Sequence, residues 1–81
     1  LYPNPARDRA ALDLDVAEDS RVSVNLYNLR GQLVQSWDYP ALRAGKQSLE
    51  LELQRAVLAP GVYYLKVSGL LNSICKRLVL L

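Results

Sequence analysis

Histidine is absent from the 81 residues, which removes the commonest general base and the commonest metal ligand together. Methionine is absent too, and the chain opens at Leu1, so it reads as a piece of a longer protein, and any export signal would lie upstream. Cysteine is reduced to Cys75. A single thiol cannot form an intramolecular disulfide, and as a nucleophile it lacks the usual partner base. The glycines Gly31, Gly45, Gly61 and Gly69 stand apart from one another, and no glycine-rich loop is available to cradle a phosphate. Net charge is only +2, with ten basic residues scattered among eight acidic ones; a nucleic-acid footprint would need a clustered basic face. The longest apolar runs are four residues, far short of the ~20 that cross a bilayer, and no basic stretch followed by an apolar one marks a signal peptide.

What is present is an apolar fraction of 51%, enough for one packed core and too much for a disordered tail. A chain this short forms one domain and buries roughly 60% of its unfolded surface. Its dominant pattern is strict alternation. Leu12-Asp13-Leu14-Asp15-Val16, Val22-Ser23-Val24-Asn25-Leu26 and Leu49-Glu50-Leu51-Glu52-Leu53 each put their apolar members on one face of a strand and their polar members on the other. Residues 62–67 are rich in β-branched and aromatic types, with Tyr63, Leu65 and Val67 inward. Residues 32–37 read as a strand whose inward face is either Leu33, Gln35 and Trp37 or Val34 and Ser36, unless a bulge reconciles the two. Residues 74–81 give a last strand, and a short edge strand near Leu1-Tyr2 would make seven.

Turn chemistry separates these runs. Asn28-Leu29-Arg30-Gly31 predicts a hairpin connection with Gly31 at positive φ. Ala59-Pro60-Gly61-Val62 predicts a type II turn, Pro60 presetting φ and Gly61 supplying positive φ at the third position. Pro3 and Pro5 hold the opening segment extended, Pro40 breaks the chain before the Leu49 strand, and residues 54–58 suit one helical turn. Short strands punctuated by turns, with no amphipathic helix between them, predict an all-β, immunoglobulin-like antiparallel sandwich of about seven strands.

Little chemistry can be assembled from this set. Asp13 with Asp15 and Glu50 with Glu52 are the paired carboxylates, each pair on one side of its strand. Such pairs share a proton or bind calcium in some proteins, but a calcium site wants several oxygen ligands from a turn, and a solvated sheet face accounts for both pairs. The chain is therefore expected to be no enzyme and to need no metal and no cofactor. Trp37, Tyr39 and Tyr64 would stack on sugars if they clustered on the surface; the plainer reading puts Trp37 in the core or over a sheet edge.

Four segments in order resemble the C-terminal sorting domains of type IX secretion, found on exported proteins of Bacteroidota-type bacteria. They are Tyr2-Pro3-Asn4-Pro5-Ala6; residues 26–34 with Gly31-Gln32-Leu33-Val34 at their end; residues 58–67 around Pro60-Gly61-Val62-Tyr63; and Lys76-Arg77-Leu78-Val79-Leu80. A related immunoglobulin-like module of secreted proteins usually carries a Trp-Asp-Gly element before its Gly-Val-Tyr strand, and this chain has none. The resemblance implies that residues 1–81 are a single C-terminal sorting domain excised from a larger secreted protein, a non-catalytic signal that folds in the periplasm. It would partner the outer-membrane translocon, shuttle and sortase, and take its cargo to the cell surface for cleavage and attachment.

For recognition the resemblance singles out Pro3, Asn4, Pro5, Gly31, Pro60, Gly61, Tyr63, Lys76, Arg77 and Leu78. The first seven set turns and fill the core, serving recognition through shape. The last strand is either a grip for the machinery, as an edge with unpaired backbone groups, or merely the closing strand of the core. A fibronectin-like or carbohydrate-binding accessory module of a secreted enzyme is the alternative from another class, and exposed edges permit self-association.

Overall fold

The computed structural model describes residues 1–3, 5–69 and 73–81. Six strands form: β1 (Arg9–Val16), β2 (Ser20–Tyr27), β3 (Leu33–Leu42), β4 (Gly45–Glu52), β5 (Gly61–Ser68) and β6 (Ile74–Leu80). They make two antiparallel sheets in a sandwich arrangement, one of order β1-β4 and one of order β3-β2-β5-β6. The expected seventh strand is reduced to a bridge between Tyr2 and Ala11, held by Tyr2 N donating to the Ala11 carbonyl at 2.9 Å and Ala11 N to the Tyr2 carbonyl at 2.6 Å.

The alternation in the sequence is the cause of the layering. Ala10, Leu12, Leu14 and Val16 of β1 are buried while Asp13 and Asp15 are exposed. Leu12 opposes Leu49 and Ala10 opposes Leu51 across the β1–β4 ladder, so the small sheet offers one apolar face. Val22, Val24 and Leu26 of β2, Tyr63, Leu65 and Val67 of β5, and Leu78 and Leu80 of β6 give the large sheet its own. No polar or charged residue is buried among the described residues. Each fully buried Leu or Val is worth about 1.5–3 kcal/mol of transfer, and the two faces meet because neither sheet could hide that surface alone.

β3 is where alternation fails, and a bulge is the reason. Trp37 opposes Val24 and Gln35 opposes Leu26, but the register then shifts so that Leu33 opposes Tyr27. Val34 is the extra residue, and both it and Trp37 pack against the core, while Leu33 stays 56% exposed. A second shift separates the pairs Ser20–Leu42 and Val22–Tyr39, and Pro40 falls within it. The expectation that Pro40 breaks the chain is thus corrected: the strand continues to Leu42 because β3 is an edge, and a bulged edge tolerates a residue with no N–H.

The connections are tied by short-range polar contacts. The Ser20 hydroxyl donates to the Glu18 carbonyl at 2.7 Å, and Asp19 Oδ1 accepts from Ala44 N at 2.8 Å, joining the corner after β1 to the one after β3. Residues 54–58 make the expected helical turn, with Val57 N and Leu58 N both donating to the Gln54 carbonyl at 3.0 Å. At the other end of β5, Gly69 has φ +97 and lies against the Arg21 carbonyl so closely that a Cβ would overlap it. No helix among the described residues is long and apolar enough to cross a membrane.

Candidate recognition surface

One end of the sandwich gathers most of the residues singled out in the sequence. The β2–β3 hairpin turns there on Asn28, whose Oδ1 accepts from Arg30 N and Gln32 N at 3.0 Å each. Gly31 N donates to the Asn28 carbonyl at 3.0 Å and Gly31 has φ +80, as its place in the turn requires. Gly61 opens β5 beside Leu80 with Pro60 exposed just ahead of it.

The turn at Pro60 is not the type II turn expected. Gly61 has φ +151, whereas the third position of a type II turn needs about +80°. The physical reason is that Gly61 is already the first residue of β5, paired with Leu80, so its backbone is drawn toward the extended form; the Ala59 carbonyl accepts instead from the Tyr63 hydroxyl at 2.7 Å. Pro3 and Pro5 are exposed on the opening segment; Asn4 lies outside the described residues.

The last strand combines two roles. Leu78 faces the core opposite Tyr63, and Leu80 is buried beside it. Lys76 opposes inward-facing Leu65, whereas Arg77 opposes Tyr64, which is exposed on the outer face. The two cations therefore leave β6 on opposite sides, as period two demands, and do not form a single charged patch. Nor is the strand a bare edge. Ala6 N donates to the Val79 carbonyl at 2.8 Å and Leu81 N donates to the Ala6 carbonyl at 2.9 Å, a parallel bridge that covers the final residues.

Arg55 organises this end and was not singled out by the sequence. Its guanidinium donates to the carbonyls of Arg7, Leu81 (2.5 Å) and Leu58 (3.4 Å), linking the opening segment, the end of β6 and the β4–β5 turn. The fork geometry of arginine suits several acceptors at once. No local pattern announces it, because two of its three partners are far away in sequence.

The carboxylates Asp13, Asp15, Glu50 and Glu52 are all exposed on the outer face of the small sheet. There Arg9 meets Glu50 at 2.9 Å, Lys46 opposes Asp15, and the Tyr2 hydroxyl reaches Asp13 at 3.5 Å. Among the described residues no group of acids, Cys or His is placed to hold a metal. The aromatics do not form one platform. Trp37 and Tyr39 pack against the core from the inner face, and Tyr64 is on the outer face of the same sheet. Partial burial pushes the Tyr39 phenol above its ordinary value.

Compared with known proteins, residues 1–81 match the family model described as the secretion system C-terminal sorting domain. No curated protein and no solved structure matches the chain.

Proposed function

The chain belongs to the secretion system C-terminal sorting domain family, a signal for type IX secretion, and on that premise we propose that it is the folded export tag of a larger cargo. The observation that carries this reading is the extent of the family match, which takes in every strand of the sandwich and not a terminal tail. A signal of that kind is read as shape and surface, and its partners are the translocon, shuttle and sortase of the secretion system. The domain supplies no chemistry of its own; cleavage ahead of it and attachment of the cargo at the cell surface belong to the sortase.

Lys76 and Arg77 are the cations we assign to recognition, one on each side of β6. Pro3, Pro5, Gly31, Pro60, Gly61 and Tyr63 serve through the shape they impose, and Leu78 through the core. Deleting residues 76–81 would remove buried Leu78 and Leu80 and so report on folding, not on recognition. Charge reversal at Lys76 and Arg77 leaves the core intact and is the sharper variant.

The test is a transplant. Residues 1–81 are fused behind a signal peptide and a fluorescent reporter in a bacterium with type IX secretion, and the reporter is located. Export that is lost when the secretion channel is deleted is the expected result. A folded fusion retained in the periplasm overturns the reading and moves the domain to the class of binding modules. Lys76→Glu with Arg77→Glu is expected to block export of a still-folded domain; unaltered export removes both residues from the recognition surface.

A further inference from the structure

The two sheets do not close on each other along the β3–β4 side. Among the described residues β4 is bonded to β1 along one edge and to no strand along the other, and β3 is the outermost strand of its own sheet. Between them runs an open groove of about 530 Å³, walled by Gln35 and Trp37 on one side and by Glu50, Glu52 and Gln54 on the other.

Gln35 shows what the groove can hold. Its side-chain Nε2 donates to the Glu52 carbonyl at 2.7 Å and its Oε1 accepts from Gln54 N at 3.1 Å. A carbonyl and the amide two residues further on are the groups that a neighbouring strand engages in a ladder. A primary amide is chemically a peptide unit, so one rung of this edge already carries a peptide mimic. The backbone parity agrees: Leu53 N points the other way, donating to the Asp8 carbonyl at 2.9 Å. The even-numbered residues therefore face the groove, and Glu50, Ser48 and Lys46 are the following rungs along β4.

Side chains set the character of an incoming strand. Inward, it would meet Trp37, which is half-buried against the core. Outward, it would lie beside Glu50 and Glu52, both exposed. Arg9 offsets Glu50 at 2.9 Å, while Glu52 is in neither ion pair found among the described residues. We infer that the free edge of β4 is a strand-accepting site for an extended peptide segment alternating apolar and basic side chains, with Gln35 as the cap that such a segment displaces. Backbone pairing supplies the affinity and the alternate pockets the selectivity, as in other strand additions. The inference stands apart from export: it holds or fails whatever the transplant shows.

Trp37 is the only tryptophan and lines the groove, so the intact chain reports on its own occupancy. A short synthetic peptide alternating valine and lysine is titrated into the full chain and Trp37 fluorescence is followed. A saturable blue shift is expected. Glu52→Lys should weaken binding about fivefold at low ionic strength, the scale of one exposed ion pair. Gln35→Ala should tighten it about fivefold by removing the competing amide, the scale of one net hydrogen bond. Far-UV circular dichroism checks that each variant is folded, and Glu52→Gln replaces Glu52→Lys if the latter is not. No saturable shift, an equal response to a peptide alternating valine and glutamate, or weaker binding by Gln35→Ala each overturns the inference. Dimerisation of the free chain in sedimentation, competing with the peptide, would make a second copy the occupant and overturn it as well.

Discussion

Gly69→Ala separates two costs that glycine positions usually mix. Gly31 has φ +80 with open space where a Cβ would go, and Gly69 has φ +97 with the Arg21 carbonyl in that space. At Gly31, alanine incurs backbone strain of about 1–2 kcal/mol, part of which is offset because alanine also restricts the unfolded chain by ~0.4–1 kcal/mol. The net loss should be about 1 kcal/mol. At Gly69 the same strain applies, but the methyl must also push back the carbonyl that precedes fully buried Val22. Overpacking costs about 1–3 kcal/mol, and displacing the end of β2 loosens the adjoining Ser23–Ser68 pair, worth ~1 kcal/mol if a hydrogen bond is lost. A total near 3–5 kcal/mol follows for Gly69→Ala, against a whole-domain stability of about 4–12 kcal/mol for a chain of this size. Thermal melts followed by circular dichroism and by Trp37 fluorescence should place Gly31→Ala about 4–8 °C below the wild type and Gly69→Ala at least about 12 °C below it. Equal shifts for the two variants would refute the reasoning, since positive φ alone would then carry the whole effect.

Other expectations follow from the same geometry. Leu65→Ala, in the strand between β2 and β6 and with a fully buried side chain, should cost about 2–5 kcal/mol in urea unfolding with the m value unchanged. Arg55→Ala should lose about 1–3 kcal/mol by leaving three carbonyls without their donor, and Arg55→Lys should recover less than half, because an ammonium cannot span the fork; equal stability of the two would assign the effect to charge alone. Tyr39, its phenol raised by burial from an ordinary 10.0, favours the protonated form in the folded state. The stability this brings is complete below pH ~10 and is lost as pH climbs through the raised folded value. Tyr39→Phe should therefore flatten the alkaline decline of the melting temperature relative to the wild type, and parallel declines would place the phenol in water.

The parts of the fold that were legible in the sequence are those where one side of a strand faces water. β1, β2, β4 and β5 announce themselves because Asp13, Ser23, Glu50 and Lys66 each alternate at period two with apolar neighbours, and the same period fixes which side is buried. β3 resisted because edge strands are covered on one side only in part, and two bulges break the parity of Val34, Trp37 and Tyr39. The hairpin at Gly31 was legible because Asn28 and Gly31 determine it locally. The turn at Gly61 was not, because Gly61 already belongs to β5 and pairs with Leu80 from the distant last strand, a partner that no local pattern names. Lys76 and Arg77 read as one basic pair in the sequence, yet strand geometry alone divides them between two faces. Arg55 and Gln35 act across long stretches of chain and carry no local mark; in hindsight the clue to Gln35 is an amide at an inward position of a strand.

The bridge from Ala6 to Leu80 joins nearly the first residue of the fold to nearly the last. A chain is made and emerges from its first residue onward, so β1 to β5 leave a membrane or ribosome with their core unclosed. Leu78 and Leu80 fill that core, and Ala6 finds its partner, only after the final strand is out. A protein carrying this domain at its end would present a finished sandwich only when every preceding residue had been translated. In such a protein a truncation anywhere upstream or within the domain would leave the sandwich without Leu78 and Leu80, the two side chains that close its core.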